Sequence, residues 1–247
     1  MQKPEKILLK FALIGTLAAF GMASLSYIFF REPAAPSAVE PVAIVDEGGD
    51  QDNGSQPEVG SDAVSTSALP AFEIDSSKSE VRFTLHELLG GEPTTVVGTT
   101  NLVSGTLYLS VDAPLDALIG EISVNARGFA TDNDFRNRAI HNAILETGRY
   151  EYIDFVPTAI VGLPDAFVLG DAVTLEVSGM LTIKNVSREV VFSAKVTPVS
   201  ETELSGHAET TISYSDYDVF VPSAPRVANV DQEVLLEIDF VALLASE

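Results

Sequence analysis

The chain has 247 residues, 46% of them hydrophobic, enough for one sizeable core or two small ones. Lys and Arg number 14 against 36 Asp and Glu, a formal charge of −22, so a phosphate backbone would repel the chain and nucleic acid is not an expected partner. With no Cys there can be no disulfide, thiolate nucleophile, iron–sulfur cluster or Cys-ligated zinc.

Lys3, Lys6 and Lys10 precede an uncharged run over 11–30, which Arg31 closes. About 20 helical residues span the ~30 Å hydrocarbon core, so residues 1–31 are expected to form a transmembrane signal-anchor. Three lysines before the run and one arginine after it place the N-terminus in the cytoplasm and the rest outside, periplasmic or at the cell surface. A cleaved signal peptide is the alternative, but the run closes on Tyr27-Ile28-Phe29-Phe30 rather than on small residues.

From 32 to 70, Pro, Ala, Ser, Gly and acidic residues dominate, and no Lys or Arg occurs between Arg31 and Lys78. Such a segment buries too little apolar surface to offset its chain entropy and is expected to be a disordered linker. Within it Asp50-Gln51-Asp52-Asn53-Gly54 has the wrong spacing for a calcium loop.

From 71 to 247 short alternating runs follow one another, at 79–86, 105–111, 119–126, 152–161, 173–183, 189–199, 203–213 and 233–243. The period of two puts Phe83 and Leu85, Leu107 and Leu109, Val177 and Leu181, Phe192, and Ile238 and Phe240 on inward rows. Eight or more antiparallel strands without a βαβ repeat mean an all-β sandwich or closed barrel. Over 179–192 two strands fold back on each other about a corner at 184–187. One helix interrupts: Thr131-Asp132-Asn133-Asp134 supplies its start, Phe135, Ala139, Ile140, Ala143 and Ile144 its apolar stripe, and Gly148 its end. A barrel of about eight strands is either filled by its own side chains or holds one small ligand, and the alternation alone does not say which.

No catalytic pattern is present: there is no GxSxG elbow, no P-loop and no GxGxxG. His86, His141 and His207 are far apart, so a zinc site would need all three to converge, and no metal is expected. His86 lies one residue past the Phe83/Leu85 row. It is a candidate head-group contact if a bulge turns it inward, and otherwise a strand-end histidine bonded to a loop.

The order of several segments resembles the YceI-like family. They are Phe72-Glu73-Ile74-Asp75 with the run at 79–86, Val97-Gly98 before Gly105-Thr106-Leu107, Ala130-Thr131-Asp132-Asn133, and Tyr152-Ile153-Asp154-Phe155. The hairpin at 179–192, Ser215-Asp216-Tyr217 and the run at 230–240 complete the series, which covers about 72–244. Two departures lie where a head group would be met: Arg136-Asn137-Arg138-Ala139-Ile140 lacks the histidine many members carry there, and the chain lengthens after His86. The resemblance implies an eight-stranded antiparallel lipocalin-like barrel with one inserted helix, whose apolar interior holds an isoprenoid lipid such as a polyprenyl or quinone tail. The nine inward residues would line that interior. The expected protein is a membrane-tethered carrier or storage module with no cofactor and no catalysis, and the alternative is a protein–protein interaction domain with a filled core.

Overall fold

The computed structural model describes residues 31–40, 69–110 and 113–245. Residues 1–30 of the expected membrane anchor and the linker over 41–68, with its acidic pattern at 50–54, lie outside the described residues. No helix among the described residues is long and apolar enough to cross a membrane.

Thirteen strands form one curled, antiparallel sheet among the described residues. In chain order they are β1 (Ala71–Ile74), β2 (Glu80–Leu89), β3 (Glu92–Thr100), β4 (Val103–Ser104), β5 (Thr106–Ser110), β6 (Ala113–Ile119) and β7 (Ile122–Asn125). After the helix come β8 (Tyr152–Val161), β9 (Val173–Ile183), β10 (Val186–Ser200), β11 (Glu203–Ser213), β12 (Val227–Ala228) and β13 (Glu233–Leu244). The sheet order is β4-β7-β8-β9-β10-β11-β13-β1-β5-β6, with β2 also on β13, and β3 and β12 on β2.

The count exceeds the eight expected strands because long strands are broken and some strands carry no alternating run. Along β13, β2 pairs from Leu235 to Asp239 and β1 from Ala242 to Leu244, so β1 and β2 lie end to end. The break between them is chemical. Asp75 accepts from the Ser77 N–H at 3.0 Å, and the Ser79 hydroxyl both donates to the Asp75 carbonyl at 2.8 Å and accepts from the Val241 N–H at 3.1 Å. Side chains there replace a stretch of ladder. β4 and β5 are parted by Gly105 alone, where a Cβ would come within 2.3 Å of Ile122. Besides the short β1, β4 and β12, the alternation missed β3 and β6, where Thr, Pro and Asp interrupt the alternating aliphatics.

The β9–β10 hairpin is present, with Ile183 opposite Val186, so that Lys184 and Asn185 alone make its turn. Lys184 takes a φ of 60°, a left-handed value, and its ammonium is held by Glu146, itself at φ 51°.

The helix is shorter than expected. α1 (Asp134–Ala139) starts where Asn133 accepts from the Arg136 N–H, and passes into a π-helical turn at Ile140–Ile144. That turn breaks the 3.6-residue register of the expected stripe. Ala139 and Ile140 are buried, whereas Phe135 is 56% exposed.

Residues 32–40, read from sequence as the start of a disordered linker, instead lie against the folded domain, together with Arg31. Asn125 donates to the Ser37 carbonyl at 2.8 Å and Ser37 N–H to Glu151 at 2.8 Å. Asn142 donates to the Arg31 carbonyl at 3.0 Å, and Ser104 to that of Glu40 at 3.2 Å. The low apolar content that argued against a packed core left backbone hydrogen bonding as a way to dock.

Candidate functional site

The interior of the sheet is not filled. A cavity of about 770 Å³ lies at the end where β2, β9 and β11 finish and β8, β10 and β13 begin, roofed by α1, the π turn and the loop over 214–230. A second of about 160 Å³ lies deeper, and both are lined by Phe129, Ile153, Ile183 and Leu236, so they adjoin. The larger volume is that of a small-molecule site.

Of the nine inward residues read from the sequence, Phe83 and Leu85 line the larger cavity. Leu107, Val177, Leu181, Phe192, Ile238 and Phe240 line the smaller one. Leu109 lines neither: it is buried in the core cluster that also holds Phe72 and Leu204, at the end of the sheet where β1 pairs with β13. His86 also stands outside both cavities. β2 runs on without a bulge, so His86 stays on the opposite face, 66% exposed, with Nδ1 3.5 Å from the Asp231 carboxylate.

The aromatic walls depend on glycines across the ladder. Phe83 lies opposite Gly98, where a Cβ would fall 2.2 Å from the ring, and Phe240 lies opposite Gly206, where it would fall 2.5 Å away. The missing side chain lets each ring lie flat across the neighbouring strand. Phe83 then meets Phe129 edge-on at 5.4 Å, and Phe155 meets Phe192 at 4.9 Å.

The polar part of the larger cavity was not legible as a site. Glu87 continues the row Val81-Phe83-Leu85 by one more step of two, and its side chain is 7% exposed. It accepts from Arg136 Nη2 of α1 at 3.0 Å, while Arg136 Nη1 donates to Asp132 at 2.6 Å. The signal was present: a carboxylate on an apolar row that is buried requires a cation. Arg136 comes from α1, and the loop that supplies Arg226, Val219 and Pro222 to the cavity carries no alternation at all.

On the other face of the sheet, Arg82 reaches Asp239 at 2.6 Å and Glu237 at 3.5 Å, and His207 Nδ1 lies 2.8 Å from Asp239. His207, Glu209 and Glu237 bring ligand-type atoms within 4.8 Å of one another. Arg82 already supplies positive charge to Glu237, so this grouping is a cross-strand ion network.

A curled antiparallel sheet around an apolar, roofed cavity places the protein in the lipocalin-like class of folds. Residues 72–242 match the model of the YceI-like domain, and the chain belongs to that family. Among solved structures, a polyisoprenoid binding domain from Saccharophagus degradans implicated in plant cell wall breakdown is 14% identical, with a TM-score of 0.57 over 72% of this chain and 99% of that one. BcnA of Burkholderia cenocepacia is 19% identical, with a TM-score of 0.53 over 68% of this chain and 98% of that one. At these identities the likeness is one of fold. No curated protein is matched by the sequence.

Proposed function

We propose that the protein is a membrane-tethered, extracytoplasmic binding protein for an isoprenoid lipid, serving as carrier or store and performing no catalysis of its own. The observation that carries this reading is the cavity of about 770 Å³ in a YceI-like domain, continued inward by a second apolar space. The relative from Saccharophagus degradans is described as a polyisoprenoid binding domain. A tail of that kind suits such a lining, because each buried CH₂ contributes roughly 0.8 kcal/mol and few polar contacts are needed. The apolar run at 11–30 and the lysines before it support the tether and its direction. Reading the curled sheet as the family's eight-stranded barrel makes the two cavities one elongated tube. The rival reading, an interaction domain with a filled core, is disfavoured by the open volume.

The test is organic extraction and mass spectrometry of the protein purified from its native host, repeated after incubation with isoprenoid-containing vesicles. A stoichiometric polyprenyl species is expected. A blank in both, with the chain folded, would return the protein to the interaction-domain reading.

A further inference from the structure

The larger cavity has three charged residues in its lining, Glu87, Arg136 and Arg226, and they are not equivalent. Arg136 is committed: Glu87 and Asp132 take one end each of its guanidinium, at 3.0 and 2.6 Å. Glu87 and Arg136 therefore cancel. Among the described residues the Arg226 guanidinium makes no hydrogen bond and no ion pair, in a chain with 36 acidic residues to offer. Arg226 is exposed to solvent at the edge of the lining, and it is the one charged residue of that lining whose guanidinium has no protein partner among the described residues.

The backbone around it is set with care. Arg226 holds a φ of 70°, a left-handed value that strains a non-glycine residue. It is fixed there on both sides: its carbonyl accepts from the Gly90 N–H at 2.6 Å, and the next two residues, β12, pair with Leu89 and Leu88 of β2. The side chain lies back over the β2–β3 turn, where a Cβ on Gly90 would come within 2.9 Å of Nη2. Strain of this kind persists where surrounding contacts enforce it, and it gathers at ligand clamps.

We propose that Arg226 is the head-group contact of the lipid held in the cavity, donating to an oxygen acceptor at the mouth while the isoprenoid tail runs inward. This rests on the isoprenoid reading above and adds the chemistry of the head. The shared chemistry is an exposed oxygen acceptor, either a phosphate or a quinone carbonyl. A guanidinium binds the first by charge and geometry together and the second by hydrogen bonding alone.

The experiment compares four probes with matched isoprenoid character on the full chain in amphipol: squalene, which has no head, a polyprenol, its monophosphate, and an isoprenoid quinone. Arg226→Gln removes the cation, and Lys78→Gln removes the same charge from an exposed pair with Asp75, away from the cavity. The wild type is expected to prefer the monophosphate or the quinone over squalene, and Arg226→Gln to lose about tenfold of that preference, the worth of one charge-assisted hydrogen bond. Squalene binding should be equal in all three proteins. Loss confined to the monophosphate identifies an anionic head, and loss of both identifies the carbonyl as sufficient. Equal preferences in wild type and Arg226→Gln, or a wild type indifferent to the head, overturn the assignment of Arg226 while leaving the isoprenoid reading intact. Failure of every probe, squalene included, overturns that reading and the assignment together.

Discussion

Glu87 of β2 and Arg136 of α1, 49 residues apart, meet at 3.0 Å in the lining of the larger cavity and tie the helical roof to the sheet. Breaking such a pair leaves one buried charge without its partner. Glu87→Ala is expected to cost roughly 2–3 kcal/mol, below the 3–5 of a fully buried pair because Asp132 still holds Arg136. Urea denaturation of Glu87→Ala beside Glu87→Leu/Arg136→Met measures it, and the double variant should recover most of the loss. Equal stability of Glu87→Ala and wild type would mean the roof is held by apolar contacts alone.

Leu236 lines both cavities, so a larger side chain there obstructs the passage between them. Leu236→Trp should lower isoprenoid affinity by at least about tenfold, the equivalent of two CH₂ groups displaced from the interior. Leu115→Trp, at a position 65% exposed, should leave it unchanged. Fluorescence titration with a polyprenol reads both.

Gly98 leaves room for the Phe83 ring, with a Cβ only 2.2 Å away were one present. Gly98→Val is expected to displace Phe83 into the larger cavity, destabilising the fold by about 2 kcal/mol through overpacking and reducing the volume open to ligand. Thermal melts of this variant and of Gly98→Val/Phe83→Leu separate the clash from the loss of backbone freedom: the second change should restore stability if the ring is the cause.

Asn125 is fully buried and donates to the Ser37 carbonyl at 2.8 Å and to Glu151 at 2.9 Å. Asn125→Ala should release residues 31–40 from the domain, at a cost of about 1–3 kcal/mol for the groups left unpaired. Hydrogen exchange at 31–40 is the direct readout, and unchanged protection there would show that the other bonds suffice. Burial works against ionising Glu151, but hydrogen bonds from Ser37 and Asn125 and the charge of Arg127 outweigh it and lower its pKa. Docking of this segment should therefore hold above the ordinary value of 4.5 and weaken as pH falls through the lower folded value.

Two histidines give stability opposite slopes with pH. The hydrogen bond to Asp239 raises the pKa of His207, against a smaller effect of burial, so its contribution is complete below 6.5 and is lost as pH rises through the folded value. Burial lowers the pKa of His141, only partly opposed by Phe129, so its neutral form favours the fold above 6.5 and that preference is lost as pH falls through the folded value. His207→Ala should flatten the alkaline limb of a stability–pH curve and, because His207 also helps to hold the Asp239 pKa down, weaken the stability that Asp239 loses as pH falls through its folded value, while the His141 contribution stays in place. The reverse result would assign the limbs wrongly.

Alternation was a sound guide wherever a strand had one dry and one wet face. Phe83, Leu85, Val177, Leu181, Phe192, Ile238 and Phe240 were read from it as one set, and they line the two adjoining cavities. It was silent where the pattern is carried by Thr and Pro, as in β3, and misleading for Leu109, because a period of two distinguishes faces but not depth along the sheet. His86 shows the same limit from the other side. Its place depended on whether β2 bulges, and β2 keeps its register with β3 from Val81 to Leu89.

By itself the sequence determined the antiparallel all-β class, the hairpin at β9–β10, the helix between β7 and β8 and the family, since each follows from local periodicity, turn chemistry or the order of short motifs. The tertiary structure alone decided that the interior stays open, that Glu87 faces inward to Arg136, that Arg226 joins the cavity lining with no partner for its guanidinium among the described residues, and that residues 31–40 dock on the domain. Those outcomes depend on how the sheet curls and on which distant segments meet across it, and neither is encoded within the reach of a strand or a turn.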